Sequence, residues 1–304
     1  MNPNIAMDLA HSVVFAGSPQ SASPKKTIYF MIGTNSAHFS LEPESGIPLP
    51  SQLLSIIRLT LLEALRTRLL WFAVLVVAGG AGLALFLDSI AITEGREIRV
   101  GVLAAGLRLA AVLLVSLFVI GSTLREFDDK VVDLLLSLPL PRGVYLLGKL
   151  AGFVMFAVIL SVLFMVPLLV MAAPSGVLLW GGSLVAELAI VAALALFCLL
   201  TFQHLPVALG VVAGFYVLAR SMGAIQLMAR GTFYDPDSLF HAASAWAVDA
   251  VAFLLPELYR FGPAEWLMYD PAGAGILLPI LGQTVIYTTL LVAAALVDLY
   301  RREF

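Results

Sequence analysis

The sequence predicts an all-α integral membrane protein. It would have six transmembrane helices, an N-terminal interfacial elbow helix, a short cytoplasmic helix between spans two and three, and an outer helical segment between spans five and six. Three observations carry this expectation. Of 304 residues, 61% are hydrophobic and 12% charged, against about 45–50% and about 25% in soluble domains. Six stretches, at 69–87, 102–123, 144–173, 177–202, 205–222 and 274–299, reach or approach the roughly 20 apolar residues that a bilayer requires. The Lys and Arg residues crowd into alternate connections. A net charge of −3 gives no sign of a nucleic-acid partner, and the one cysteine, Cys198, cannot form a disulfide within the chain. His11, His38, His204 and His241 show no metal-ligand spacing, and no metal or cofactor is expected in this chain.

Residues 1–49 are rich in Ser, Pro, Asn and Gly without a sustained period, and are expected to form a disordered tail. They lack the basic start and apolar core of a secretory signal. A start codon placed too early is the alternative reading of this stretch. Between 51 and 68, Leu53, Ile57, Leu61 and Leu65 recur at four-residue steps, with Gln52, Ser55, Glu63 and Arg66 opposite. Such a helix suits the headgroup plane; the alternative is a simple extension of the first span. Span three contains Pro167 and is long enough to begin outside the bilayer, whereas span five is short unless it runs through Met222.

Placing the N-terminus inside puts Lys25, Lys26, Arg58, Arg66, Arg68, Arg125, Lys130, Arg142, Lys149, Arg301 and Arg302 on the inner side. Arg96, Arg99, Arg220, Arg230 and Arg260 then lie outside, with Arg108 inside a span. This bias predicts both termini in the cytoplasm of a multi-pass protein of the inner (cytoplasmic) membrane. The connection 223–273 is then external. Its 238–255 stretch, holding His241 and Asp249, makes a poor span and is expected to lie on or dip into the outer leaflet. Trp246, Tyr259, Trp266 and Tyr269 suit an aromatic belt.

The most charged run between the first and last spans is 124–152. Asp128, Asp129, Lys130 and Asp133 alternate with Val131, Val132 and Leu134–Leu136, as in a short helix with one apolar face. Pro139 and Pro141 stop it, since proline lacks an amide hydrogen and clashes with the preceding turn. A short helix with a charged face, set on an elbow between two spans, needs a docking partner outside the lipid.

Four other features bear on chemistry. Gly143 to Lys149 matches the first seven positions of a phosphate-binding loop, but Leu150 stands where Ser or Thr must hold magnesium, so the chain carries no recognisable ATPase. Arg108 and Glu187 are charges inside spans, costing about 2.5–3.5 kcal/mol each on insertion scales; they are expected to pair or to line one polar cavity. The alternative is that Arg108 snorkels to the headgroups. Gly210/Gly214 and Gly148/Gly152 are small residues four apart that allow close helix approach, between copies or within one. Gln283, Thr284, Tyr287, Thr288 and Thr289 either line a path along span six or bond back to their own helix.

The 124–152 run resembles the cytoplasmic loop of ABC-2-type transporter permeases. Arg125, Glu126, Leu134–Leu136, Ser137, Pro139, Arg142, Leu146, Leu147, Gly148 and Lys149 match its charged start, leucine run, proline stop and "LLGK" restart. Asp129–Lys130 stands where the family usually has Gly-Thr. Leu255-Pro256-Glu257-Leu258-Tyr259-Arg260-Phe261 is similar to an element before the last span of many members, including the branch with the permease linked to copper-site maturation of nitrous-oxide reductase. The resemblance covers 53 to the C-terminus and implies a permease domain over 50–304. It implies a homodimer bound to two copies of a separate ATP-binding subunit, which would hold ATP and magnesium. It also implies export, a coupling helix contacting the ATPase through Glu126, Asp128, Asp129 and Arg142, and a dimer interface involving Gly210 and Gly214. A membrane scaffold or sensor that moves nothing, and an ion-coupled carrier, remain the alternatives, although the internal repeats or broken helices common in carriers are not evident.

Overall fold

Nine α-helices and two short 3-10 turns make up most of the described residues, and no strand occurs among them. The computed structural model describes residues 49–90, 95–128, 142–229, 239–269 and 273–301, all within one compact body, Pro48–Phe304. The helices are α1 Leu49–Arg66, α2 Leu69–Ile90, α3 Gly95–Asp128, α4 Arg142–Met171, α5 Pro174–Phe202, α6 Leu205–Ala229, α7 Leu239–Leu254, α8 Glu265–Met268 and α9 Leu277–Arg301. Six of them, α2 to α6 and α9, are long and apolar enough to cross a membrane. The chain is thus an all-α, multi-pass membrane protein.

The helices outrun the apolar stretches, because helix hydrogen bonding does not stop where hydropathy falls. α3 extends the span expected at 102–123 to Gly95–Asp128, with Glu97 in its first turn and Arg125 in its last, each favourable to the helix dipole. α6 continues past 222 to Ala229. Between α5 and α6 the break is tight: Gln203 takes a left-handed conformation (φ 57°) and its N–H bonds Leu199 O at 2.9 Å. Pro167 lies inside α4 without ending it; neighbouring helices make such prolines tolerable in membrane bundles.

The six long helices run up and down. The ends of α3 and α5 meet where Leu124, Phe127 and Asp128 face Leu199 and Gln203. The end of α9 joins them through Thr201 Oγ1 donating to Asp298 Oδ2 at 2.7 Å. At the opposite end the start of α3 meets the end of α4, with Arg96 Nη2 donating to Met171 O at 3.1 Å. α5 is the central helix and is mostly buried, while α2 and α9 are peripheral and mostly open. Phe118 anchors the core between Phe153 and Phe156, at ring distances of 5.4 and 4.7 Å.

α1 lies along α4. Ile56 packs on Gly148 and Thr60 on Gly152, and Ala64 is buried one turn further along α1. A methyl at Gly152 would stand 2.7 Å from Thr60 Cβ, so the approach requires glycine there. Small residues form the seam, while Leu54, Leu59, Leu62 and Leu65 stay open.

Candidate functional site

Two buried polar clusters lie along α3, one near its middle and one near its C-terminal end. The larger centres on Arg108 (α3) and Glu187 (α5), which are 3% and 0% exposed with Nη1 and Oε2 3.0 Å apart. Arg108 lies 13 residues after Gly95 and Glu187 13 residues after Pro174, so two parallel helices bring them level about 20 Å from their starts. Arg220 on α6 is the third member, its Nη1 3.7 Å from Glu187 Oε1. Tyr216, one turn earlier, is buried within electrostatic reach of all three charges. The Trp180 ring lies 5.4 Å from the Arg108 guanidinium carbon.

Two guanidiniums against one carboxylate leave excess positive charge, and backbone carbonyls absorb it. Between α7 and α8 the chain is irregular over 255–264, turning once through Leu258–Arg260. Arg108 Nη1 donates to Phe261 O, and its Nη2 to Gly262 O at 3.0 Å. Arg220 Nη1 donates to Leu258 O at 2.5 Å and to Phe261 O at 3.0 Å. Leu255, Leu258 and Phe261 are buried around these bonds. Gly262 has φ 53°, and a Cβ there would collide with Arg108 Nη2 and Ser183 Oγ. The site thus fastens a non-helical segment to α3, α5 and α6. Irregular backbone at membrane depth requires such buried partners.

The second cluster lies near the far end of α3. Glu126 forms an ion pair with Lys149 of α4, whose side chain is 1% exposed, and accepts from Tyr145 Oη at 2.6 Å. Lys149 also lies 5.7 Å from the Phe153 ring centre. On α1, Glu63 Oε2 accepts from Ser122 Oγ at 2.7 Å. Carboxylates from α1 and α3 therefore tie three helices together at this end.

No family model and no curated protein matches the chain.

The remaining candidates are distributed as follows. Asp128 ends α3 and is exposed, and Arg142 begins α4; Asp129 and the rest of the 129–141 connection, including Pro139 and Pro141, lie outside the described residues. Glu126 is engaged by Lys149 and Tyr145, its side chain 27% exposed. Lys149, the last matching position of the loop-like Gly143 motif, is buried in that pair. Gly210 and Gly214 lie on the open surface of α6, and a methyl placed at either would meet nothing within 4 Å. Thr284 Oγ1 bonds back to Ile280 O at 2.8 Å, and Tyr287 Oη donates to Leu254 O at 3.4 Å.

The sequence alone does not reveal Arg220 or the carbonyls of 258–262 as site members. Ending span five at Ala219 puts Arg220 in an external connection; a helix reaching Ala229 puts it inside. The usable signal was Arg220 itself, two turns beyond the Gly210–Gly214 pair in a run still apolar enough to stay helical.

Proposed function

We propose that the chain is the membrane-spanning subunit of an ATP-driven ABC-2-type exporter, acting as a homodimer with two copies of a separate ATP-binding subunit. The observation that carries this reading is the construction of the α3–α4 end. At 34 residues α3 is about 51 Å long, whereas the hydrocarbon core is about 30 Å thick. Its last turns project from the bilayer, and the Glu126–Lys149–Tyr145 cluster clamps them to α4. The 129–141 connection, whose sequence resembles a coupling helix, thus hangs from two joined rods. α1, with open leucines and a small-residue seam, suits an elbow helix in the adjoining headgroup layer.

In this mechanism the end bearing Arg66, Arg68, Arg125 and Arg301 faces the cytoplasm. Closure of the ATP-binding subunits pushes on 126–138, and α3 and α4 tilt as a pair. Near its middle α3 carries Arg108, so the movement reaches Glu187, Arg220 and the 258–262 carbonyls together. Asp128, Asp129 and Arg142 make the docking contacts, while Glu126 fixes the angle at which they are offered. The open Gly210/Gly214 face of α6 and the exposed α2 supply the homodimer interface.

Purification from native membranes should retain an ATP-binding subunit. Joint reversal of Asp128, Asp129 and Arg142 should release it without unfolding the chain, and cysteines at position 214 should crosslink between copies. Labelling of residues 126–138 from the exterior of intact cells would overturn the whole reading.

A further inference from the structure

A cleft of about 660 Å³ opens where the end of α1, the start of α2 and the last third of α3 converge. Arg66, Arg68 and Arg125 stand at its walls, with Phe72, Leu117 and Phe118 below them. All three arginines are exposed, and none forms an ion pair among the described residues. Glu63 is the acidic residue of the lining, and its carboxylate is already held by Ser122. The cleft therefore carries a net charge of +2 over an apolar floor.

The polarity of the walls is graded with depth. On α3 the lining residues Leu117, Phe118, Gly121, Ser122 and Arg125 share one helical face. Leu117 and Arg125 are separated by about 12 Å along the axis at 1.5 Å per residue. Arg68, just before α2, is followed by Leu69 and Phe72 on that helix in the same order, from charge at the end to apolar surface inside the span. Gly121 leaves the middle of the cleft open, with nothing within 4 Å of a methyl placed there. The side toward α2 faces lipid, because that helix is largely unburied.

We propose that this cleft is a binding site for an acidic phospholipid. The phosphate would sit among Arg66, Arg68 and Arg125, and the upper acyl chain would lie against Phe72, Leu117 and Phe118. A free phosphate has no use for the apolar floor, and a zwitterionic lipid would leave the three guanidiniums without net counter-charge. The inference requires only that α2 and α3 cross a bilayer, so it stands or falls independently of the transporter reading.

The test is lipid retention by the purified full-length chain in mild detergent, measured by native mass spectrometry. Phosphatidylglycerol should be retained at least tenfold better than phosphatidylcholine, and soluble glycerol phosphate should not compete. Each Arg→Gln change should weaken retention on the order of five-fold, the contribution of one basic residue near an anionic headgroup. Arg301→Gln, at the same end but outside the cleft, should have no effect. Gly121→Phe keeps every charge but fills the cleft, and should displace the lipid; it keeps the proposal testable if an arginine variant does not fold. Equal retention of the two lipids, competition by glycerol phosphate, or undiminished phosphatidylglycerol retention by Gly121→Phe would each overturn the proposal.

Discussion

Replacing Arg108 and Glu187 by methionine, singly and together, tests the central cluster most directly. Removing one partner of a buried ion pair leaves the other uncompensated and typically costs about 3–5 kcal/mol. Both side chains are fully enclosed, at 3% and 0% exposure. Arg108→Met leaves Glu187 with Arg220 as its neighbouring cation, 3.7 Å away and partly exposed at 31%, and it frees two carbonyl acceptors. Glu187→Met leaves two guanidiniums that still hold carbonyls. Each single change should therefore cost about 3 kcal/mol, the lower end of that range. The double variant buries two apolar chains of similar length and should cost no more than either single one, giving a coupling energy of about 3 kcal/mol, the upper end for residues in contact. The assay is reversible unfolding in mixed micelles, followed by tryptophan fluorescence, because Trp180 reports from beside the pair. If the double variant loses the sum of the single losses within about 0.5 kcal/mol, the two charges are energetically independent and the pairing is refuted.

Gly262→Ala forces a left-handed alanine, at about 1–2 kcal/mol, and drives its methyl into Arg108 and Ser183, for a total near 3 kcal/mol. Gly273→Ala shares the positive φ (105°) but meets nothing within 4 Å, so it should lose only the backbone contribution; equal losses at the two sites in unfolding experiments would show that the clash at Gly262 costs nothing. Lys149→Met leaves Glu126 with the Tyr145 hydroxyl and some solvent, so it should cost about 2 kcal/mol, below the fully buried range. Protease accessibility of the 129–141 connection should rise with it, and unchanged digestion would argue against a clamp between α3 and α4.

The sequence makes the bundle legible because apolar length is a direct physical requirement of crossing a bilayer. The α5–α6 break was readable from Gln203-His204 ahead of Pro206, and α5 ends at Phe202 where the hydropathy pattern ends it. Helix ends with charged turns were not readable in this way, which is why α3 and α6 run longer than their apolar cores. Arg108 and Glu187 stood out by their cost in an apolar run. Their carbonyl partners could not stand out, since every residue has a carbonyl and only the path of 255–264 selects Leu258, Phe261 and Gly262. The contact of α1 with α4 was not readable in the same way: in lipid, large apolar residues need no protein partner, so the tight approach falls to Ile56 and Thr60 opposite glycines.

The two polar clusters are linked through the geometry of α3. Arg108 and Glu126 are 18 residues apart, five turns of 3.6 residues, and so lie on one face of the helix about 27 Å from each other. Between them on that face run Ala111, Val115, Val119 and Ser122, all buried. No proline occurs between residues 95 and 128 to serve as a hinge. A rotation or tilt of α3 that loosens Glu126 from Lys149 therefore also moves Arg108 against Glu187 and the 261–262 carbonyls. Each cluster resists the movement with a buried ion contact, one to α4 and the other to α5. A force large enough to shift one end must work against both, so α3 moves either with its neighbours as a unit or hardly at all.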